Sequence, residues 1–177
     1  MLIIERKLTM NITKLFLIIF SLIFMTFNMA NALDSKPSIT LDIAKKMADA
    51  CEAKHAQTDW RPLNIAIIDD GADLILFRRQ DGAFLGSIDI ALDKAISAVM
   101  IPFPTRAIGE LAFGKDGNPP AFPGATTVDF LVPFAGGLPI RTESGHLIGA
   151  IGVSGATGDQ DEECAQAAID AVADQLK

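Results

Sequence analysis

Ser154, within Gly152-Val153-Ser154-Gly155, is the first residue whose setting could support chemistry, because a serine on a glycine-flanked turn can serve as a nucleophile. A hydrolase elbow requires glycine two residues after the serine, and here that position is Ala156. No spacing relates His55 or His146 to Ser154 and a carboxylate as a triad would require. No catalytic residue is therefore assigned, and a binding protein is preferred to an enzyme. Gly149, Gly152, Gly155 and Gly158 could instead cradle a phosphate at the start of a helix. Asp159 and Asp161 already bring negative charge to that helix end, so capping and tight turns are the preferred account.

The remaining polar clusters read as structural. Asp69-Asp70-Gly71-Ala72-Asp73 has its glycine too early for a calcium loop and lacks the closing glutamate, so hairpin chemistry is expected. Glu162-Glu163 reads as a solvated first helical turn. His146 follows Gly145 in a turn, whereas His55 lies at the edge of a helical apolar stripe and is the histidine with most claim to a metal. Cys51 and Cys164 fall on the first and last expected helices. Both a bridge and a pair of buried thiols are open to them, and the thiols are preferred.

Positioning these residues requires an α+β domain. Thr40 should cap a helix to about His55 or Gln57, with Ala44, Met47, Ala48 and Cys51 inward. Leu63 to Ile68 and Leu74 to Phe77 read as a hairpin, and Ser87 as the cap of a second helix ended by Pro102 and Pro104. Thr105 caps a short helix to about Phe113, and 114–124 is a loop. Val128 to Phe134, Leu138 to Arg141 and Leu147 to Val153 are predicted strands, followed by a helix from about Asp159 to Gln175. A single domain with a central antiparallel sheet of about five strands flanked by helices is expected.

Leu15 to Phe27 is a nearly unbroken apolar run between Lys14 and Ala30-Asn31-Ala32. Residues 1–32 thus read as a secretory signal peptide, with the domain occupying 33–177 and a periplasmic or secreted location expected. The run of about thirteen residues is short of the roughly twenty a bilayer span needs, so no membrane span is expected after cleavage. The full chain of 177 residues carries 15 basic and 22 acidic side chains. That acidic balance argues against nucleic acid or an anionic membrane as partner.

Several short motifs occur in a fixed order: Asp81-Gly82, Gly86-Ser87-Ile88-Asp89-Ile90-Ala91, Lys94-Ala95, Pro104-Thr105, Gly136-Gly137-Leu138-Pro139-Ile140 and Gly149-Ala150-Ile151-Gly152-Val153-Ser154-Gly155. In that order they resemble the GlcG/HbpS family of haem-binding proteins, which includes the C-terminal domain of PduO-type corrinoid proteins. The resemblance runs from about Ile39 to Val172. It implies a compact domain, homo-oligomers, and haem as cofactor, in sensing, storage or slow degradation. A corrinoid-associated or other small-molecule enzyme using the same pocket, and a structural oligomer with a vestigial pocket, are the competing readings.

By the same resemblance, Thr105 matches a haem-contacting threonine and His55 lies where some relatives carry an iron ligand. The chain departs from the family's pattern at Ser97 in Lys94-Ala95-Ile96-Ser97-Ala98, at Ala168, and near His55 and Ala56, where the usual glycine is missing. Haem needs an apolar slot, an iron ligand and cations for its propionates. The candidates are Phe84, Leu85, Met100, Phe103 and Phe113 for the slot, His55 or Met100 for iron, and Lys94, Arg78 or Arg106 for the propionates.

Overall fold

Thr40 begins the first helix as its residue type predicts, its Oγ1 accepting a hydrogen bond from the Ile43 N–H at 3.3 Å. In this computed structural model, residues 36–177 are described; the expected signal peptide at 1–32 lies outside them. Helix α1 spans Leu41–His55 and buries Ala44, Met47, Ala48 and Cys51 along one stripe. Strands β1 (Asn64–Asp69) and β2 (Leu74–Arg79) follow, then α2 (Ser87–Met100) and α3 (Thr105–Phe113). Strands β3 (Gly137–Arg141) and β4 (Leu147–Ser154) lead into α4 (Gly158–Asp170). No helix among the described residues is long and apolar enough to cross a membrane.

The four strands form one antiparallel sheet in the order β2-β1-β4-β3. Alternation along the two central strands divides the core. Ile65 and Ile67 of β1, with Ile151 and Val153 of β4, pack with Met47 and Cys51 of α1 and Cys164 and Ala168 of α4. Ala66, Ile68 and Ala150 join Ala91, Ala95 and Ala98 of α2 on the opposite face. The result is three layers, with α1 and α4 together on one side and α2 on the other. Asp69 Oδ1 accepts from the Gly71 and Asp73 N–H groups, which is the hairpin chemistry expected of that acidic turn.

The α2 side is built from small residues because the helix lies almost on the sheet. A Cβ at Gly152 would stand 2.0 Å from the Ala91 carbonyl oxygen, and one at Gly137 would stand 2.4 Å from that of Lys94. We expect Gly152→Ala to push α2 outward and lower stability by about 1–3 kcal/mol, as overpacking does. Urea denaturation measures it, and an unchanged midpoint would mean that α2 has room to spare.

Four expectations need correction. Residues 128–134 do not form a fifth strand. Ser97 Oγ donates to the Phe130 carbonyl and accepts from the Val132 N–H, each at 2.8 Å, so a helix side chain takes the place of a ladder partner. Thr105 and Ser87 open their helices without making side-chain caps. Thr157, not an aspartate, caps α4, through a capping box with Gln160, and the helix ends at Asp170 before a 3-10 turn at Ala173–Gln175. Finally, Cys51 and Cys164 are joined by a disulfide between α1 and α4, not left as thiols.

Candidate ligand cleft

After His55 the chain leaves α1 through a turn in which Thr58 Oγ1 donates to the His55 carbonyl at 2.7 Å. It then crosses Asp59-Trp60-Arg61-Pro62 to reach β1. This crossing, Phe84 from the β2–α2 connection, and the turn from β4 into α4 enclose a cleft of about 500 Å³. Its lining is Asp59, Trp60, Arg61, Phe84, Gly155, Ala156, Thr157 and Gln160. The volume falls in the range of about 300–1,000 Å³ common for small-molecule sites. The Arg61 guanidinium stacks 5.1 Å from the Phe84 ring centroid, and Lys54 Nζ sits 5.8 Å from that of Trp60.

Behind the Gly155-Ala156 wall lies a buried ion pair. Lys94 Nζ donates to Asp161 Oδ2 and to the Val153 carbonyl, each at 2.8 Å, while Asp161 Oδ1 accepts from the Ala156 N–H at 3.0 Å. Burial pushes the Lys94 ammonium below its ordinary pKa and the Asp161 carboxyl above its own, and their pairing opposes both shifts. The phosphate cradle considered from the glycines is thus filled from within. Asp161 takes the Ala156 N–H, and the Thr157–Gln160 box takes the N–H groups of Thr157 and Gln160.

The residues singled out in the sequence are divided among different parts of the fold. His55 closes α1 on one face of the sheet, its Nε2 within 3.2 Å of the carbonyl oxygens of both Trp60 and Arg61. Carbonyls only accept, so Nε2 is the donor in both contacts. Lys94, on the opposite face, is 0% exposed and committed to Asp161, not available to a propionate. Thr105 is also 0% exposed; its Oγ1 accepts from the Gly137 N–H at 2.9 Å, so it clamps β3 and presents no surface to a ligand. Arg106 pairs with Asp159 and Glu162, and Arg78 with Asp49 and Glu52.

Among the described residues, Phe84, Leu85, Met100, Phe103 and Phe113 do not come together as the lining of this cleft. Of these only Phe84 lines the cleft, while Met100, Phe103 and Phe113 are 57%, 53% and 64% exposed. Trp60 and Arg61 were the residues missed. An aromatic and a cation adjacent in a short helix-to-strand crossing were the available signal. For haem, Trp60 and Phe84 supply ring faces and Arg61 a cation for carboxylates, so the lining fits a porphyrin. No imidazole, thiol or thioether stands in that lining, and His55 contacts it through the carbonyls of Trp60 and Arg61. Among the described residues no group of three or more His, Cys, Asp or Glu side chains is arranged to hold a metal ion.

The fold is an α/β/α domain with an aromatic, arginine-bearing cleft of a size common for small-molecule sites. Comparison with known proteins assigns its family. Residues 39–170 match the family described as haem degrading protein HbpS-like, and the chain belongs to that family. It is 38% identical over 140 residues to a 15.0 kDa protein from the dhaT-dhaS intergenic region of Citrobacter freundii, covering 75% of this chain and 91% of that one. The crystal structure of Klebsiella pneumoniae ORFY is similar with a TM-score of 0.69 and 33% identity, over 81% of this chain and 97% of that one. A double mutant of Streptomyces reticuli HbpS gives 0.67 at 30% identity, covering 80% and 91% of the two chains. The PduOC:heme complex gives 0.65 at 26% identity, covering 76% and 95%.

Proposed function

We propose that this chain is an exported haem-binding protein, released to the periplasm or medium by cleavage before Leu33, that stores, senses or slowly degrades haem. The observation that carries the reading is the cleft itself, where Trp60, Phe84 and Arg61 together offer what a porphyrin edge requires. Family membership and the structural likeness to a protein solved with haem support it. His55 is the imidazole we put forward as iron ligand. Its Nε2–H is held by backbone carbonyls, the arrangement that ordinarily orients a metal-binding histidine and leaves the other nitrogen to coordinate. Exposed Met100, Phe103 and Phe113 support a homo-oligomer as the working assembly.

Titrating the exported protein with hemin should produce a shifted Soret band that saturates at stoichiometric protein. His55→Ala should change that spectrum. A free-hemin spectrum throughout would sink the binding claim, and an unaltered spectrum in the variant would remove His55 as ligand. Native mass spectrometry of the same sample reads the processed mass, any retained ligand and the number of copies. A corrinoid or organic acid in place of haem would favour the competing reading.

A further inference from the structure

We propose that the cleft recognises its ligand as a planar aromatic dicarboxylate, and that ring contacts and Arg61, more than the His55–iron bond put forward above, supply its retention. This rests on the haem reading and concerns which part of the molecule is held. The lining contains no histidine, cysteine, methionine, tyrosine or lysine, so it brings no side chain of the kinds that ordinarily ligate haem iron. What it does contain is two aromatic side chains and a guanidinium.

That guanidinium differs from the others considered. Arg78 and Arg106 are each engaged by two carboxylates, whereas no carboxylate pairs with Arg61 among the described residues. Arg61 sits over the Phe84 ring, a contact that engages its charge without accepting its N–H groups, which a ligand carboxylate can take. The α4 end of the cleft offers little competition for anions, because Gln160, Thr157 and Asp161 already take the N–H groups of Thr157, Gln160 and Ala156. Asp59, in the same lining, works against an anionic ligand. Recognition of the carboxylates therefore falls to Arg61, with Asp59 moderating it.

Trp60 is the chain's one tryptophan, so quenching of its fluorescence reports occupancy directly. The exported protein is titrated with hemin, with metal-free protoporphyrin IX and with protoporphyrin dimethyl ester. The first two should bind within about threefold of each other and the ester about tenfold or more weaker, the loss of one charge-assisted contact. Arg61→Met should weaken both acids about tenfold and close the gap to the ester, while Asp59→Asn tightens the acids and leaves the ester unchanged. Hemin binding without protoporphyrin binding would overturn the inference and leave the haem reading standing. Acids that bind Arg61→Met as they bind the parent chain would also overturn it. If neither porphyrin bound, the haem reading itself would fall.

Discussion

Lys94→Met should destabilise the domain by about 3–5 kcal/mol, the usual cost of breaking a buried ion pair from one side. The reason is what remains. Asp161 is 2% exposed and loses its cation, keeping only the backbone N–H bonds from the turn before α4. Asp161→Asn should cost a similar amount by stranding the Lys94 ammonium, although its side-chain oxygen can still accept from Ala156. The double variant Lys94→Met/Asp161→Asn removes both charges and should recover about 2 kcal/mol or more relative to the sum of the singles. Urea denaturation of the four proteins with the disulfide intact measures this. Additive losses, or singles within about 1 kcal/mol of the parent, would show that the pair is not coupled as its geometry indicates. Because Asp161 also holds the Gly155-Ala156 wall, both singles should disturb porphyrin binding while touching no ligand.

The same pair shows where sequence stops informing. Lys94 was a propionate candidate and Asp161 a helix-end charge, each the ordinary reading of a charged residue on a surface helix. Their union depends on α2 and α4 lying on opposite faces and reaching each other past the C-terminal end of β4, a tertiary fact without local trace. Thr105 misleads in the same way. Its position after Pro104 is typical of a helix start, yet its hydroxyl is taken by Gly137 thirty-two positions on. By contrast, the stripe Ala44, Met47, Ala48 and Cys51 was legible because helical period alone selects a buried face. The strands at 64–69, 74–79, 137–141 and 147–154 were legible from apolar runs bounded by turn residues. The run at 128–134 has the same composition but finds its backbone partner in Ser97, and Pro133 lacks an N–H to give a ladder. The cleft was the least legible feature. Trp60, Phe84 and Thr157 come from three connections, and no periodicity links connections.

Removing the disulfide should have the second large effect. Cys51 and Cys164 are separated by 113 positions, so their bridge restrains nearly the whole described domain in its unfolded state. In the chain-entropy model a loop of that length contributes about 4–5 kcal/mol. Set against the roughly 5–15 kcal/mol that holds a typical domain together, this is a large share. Cys51→Ala/Cys164→Ala should therefore lower the melting temperature by roughly 10–20 °C while leaving the folded spectrum and the cleft intact. The second part follows from the packing. Both residues are fully buried within the α1 and α4 core, where Met47, Ala48, Ala165 and Ala168 remain to hold the helices together. The same burial makes a kinetic expectation. A reductant should open the bridge only as fast as α1 and α4 separate, so reduction of the native protein should be slow and should accelerate in urea. Rapid reduction without denaturant would mean that the two helices part readily. A double variant as stable as the parent would place the bridge's contribution elsewhere than in chain entropy.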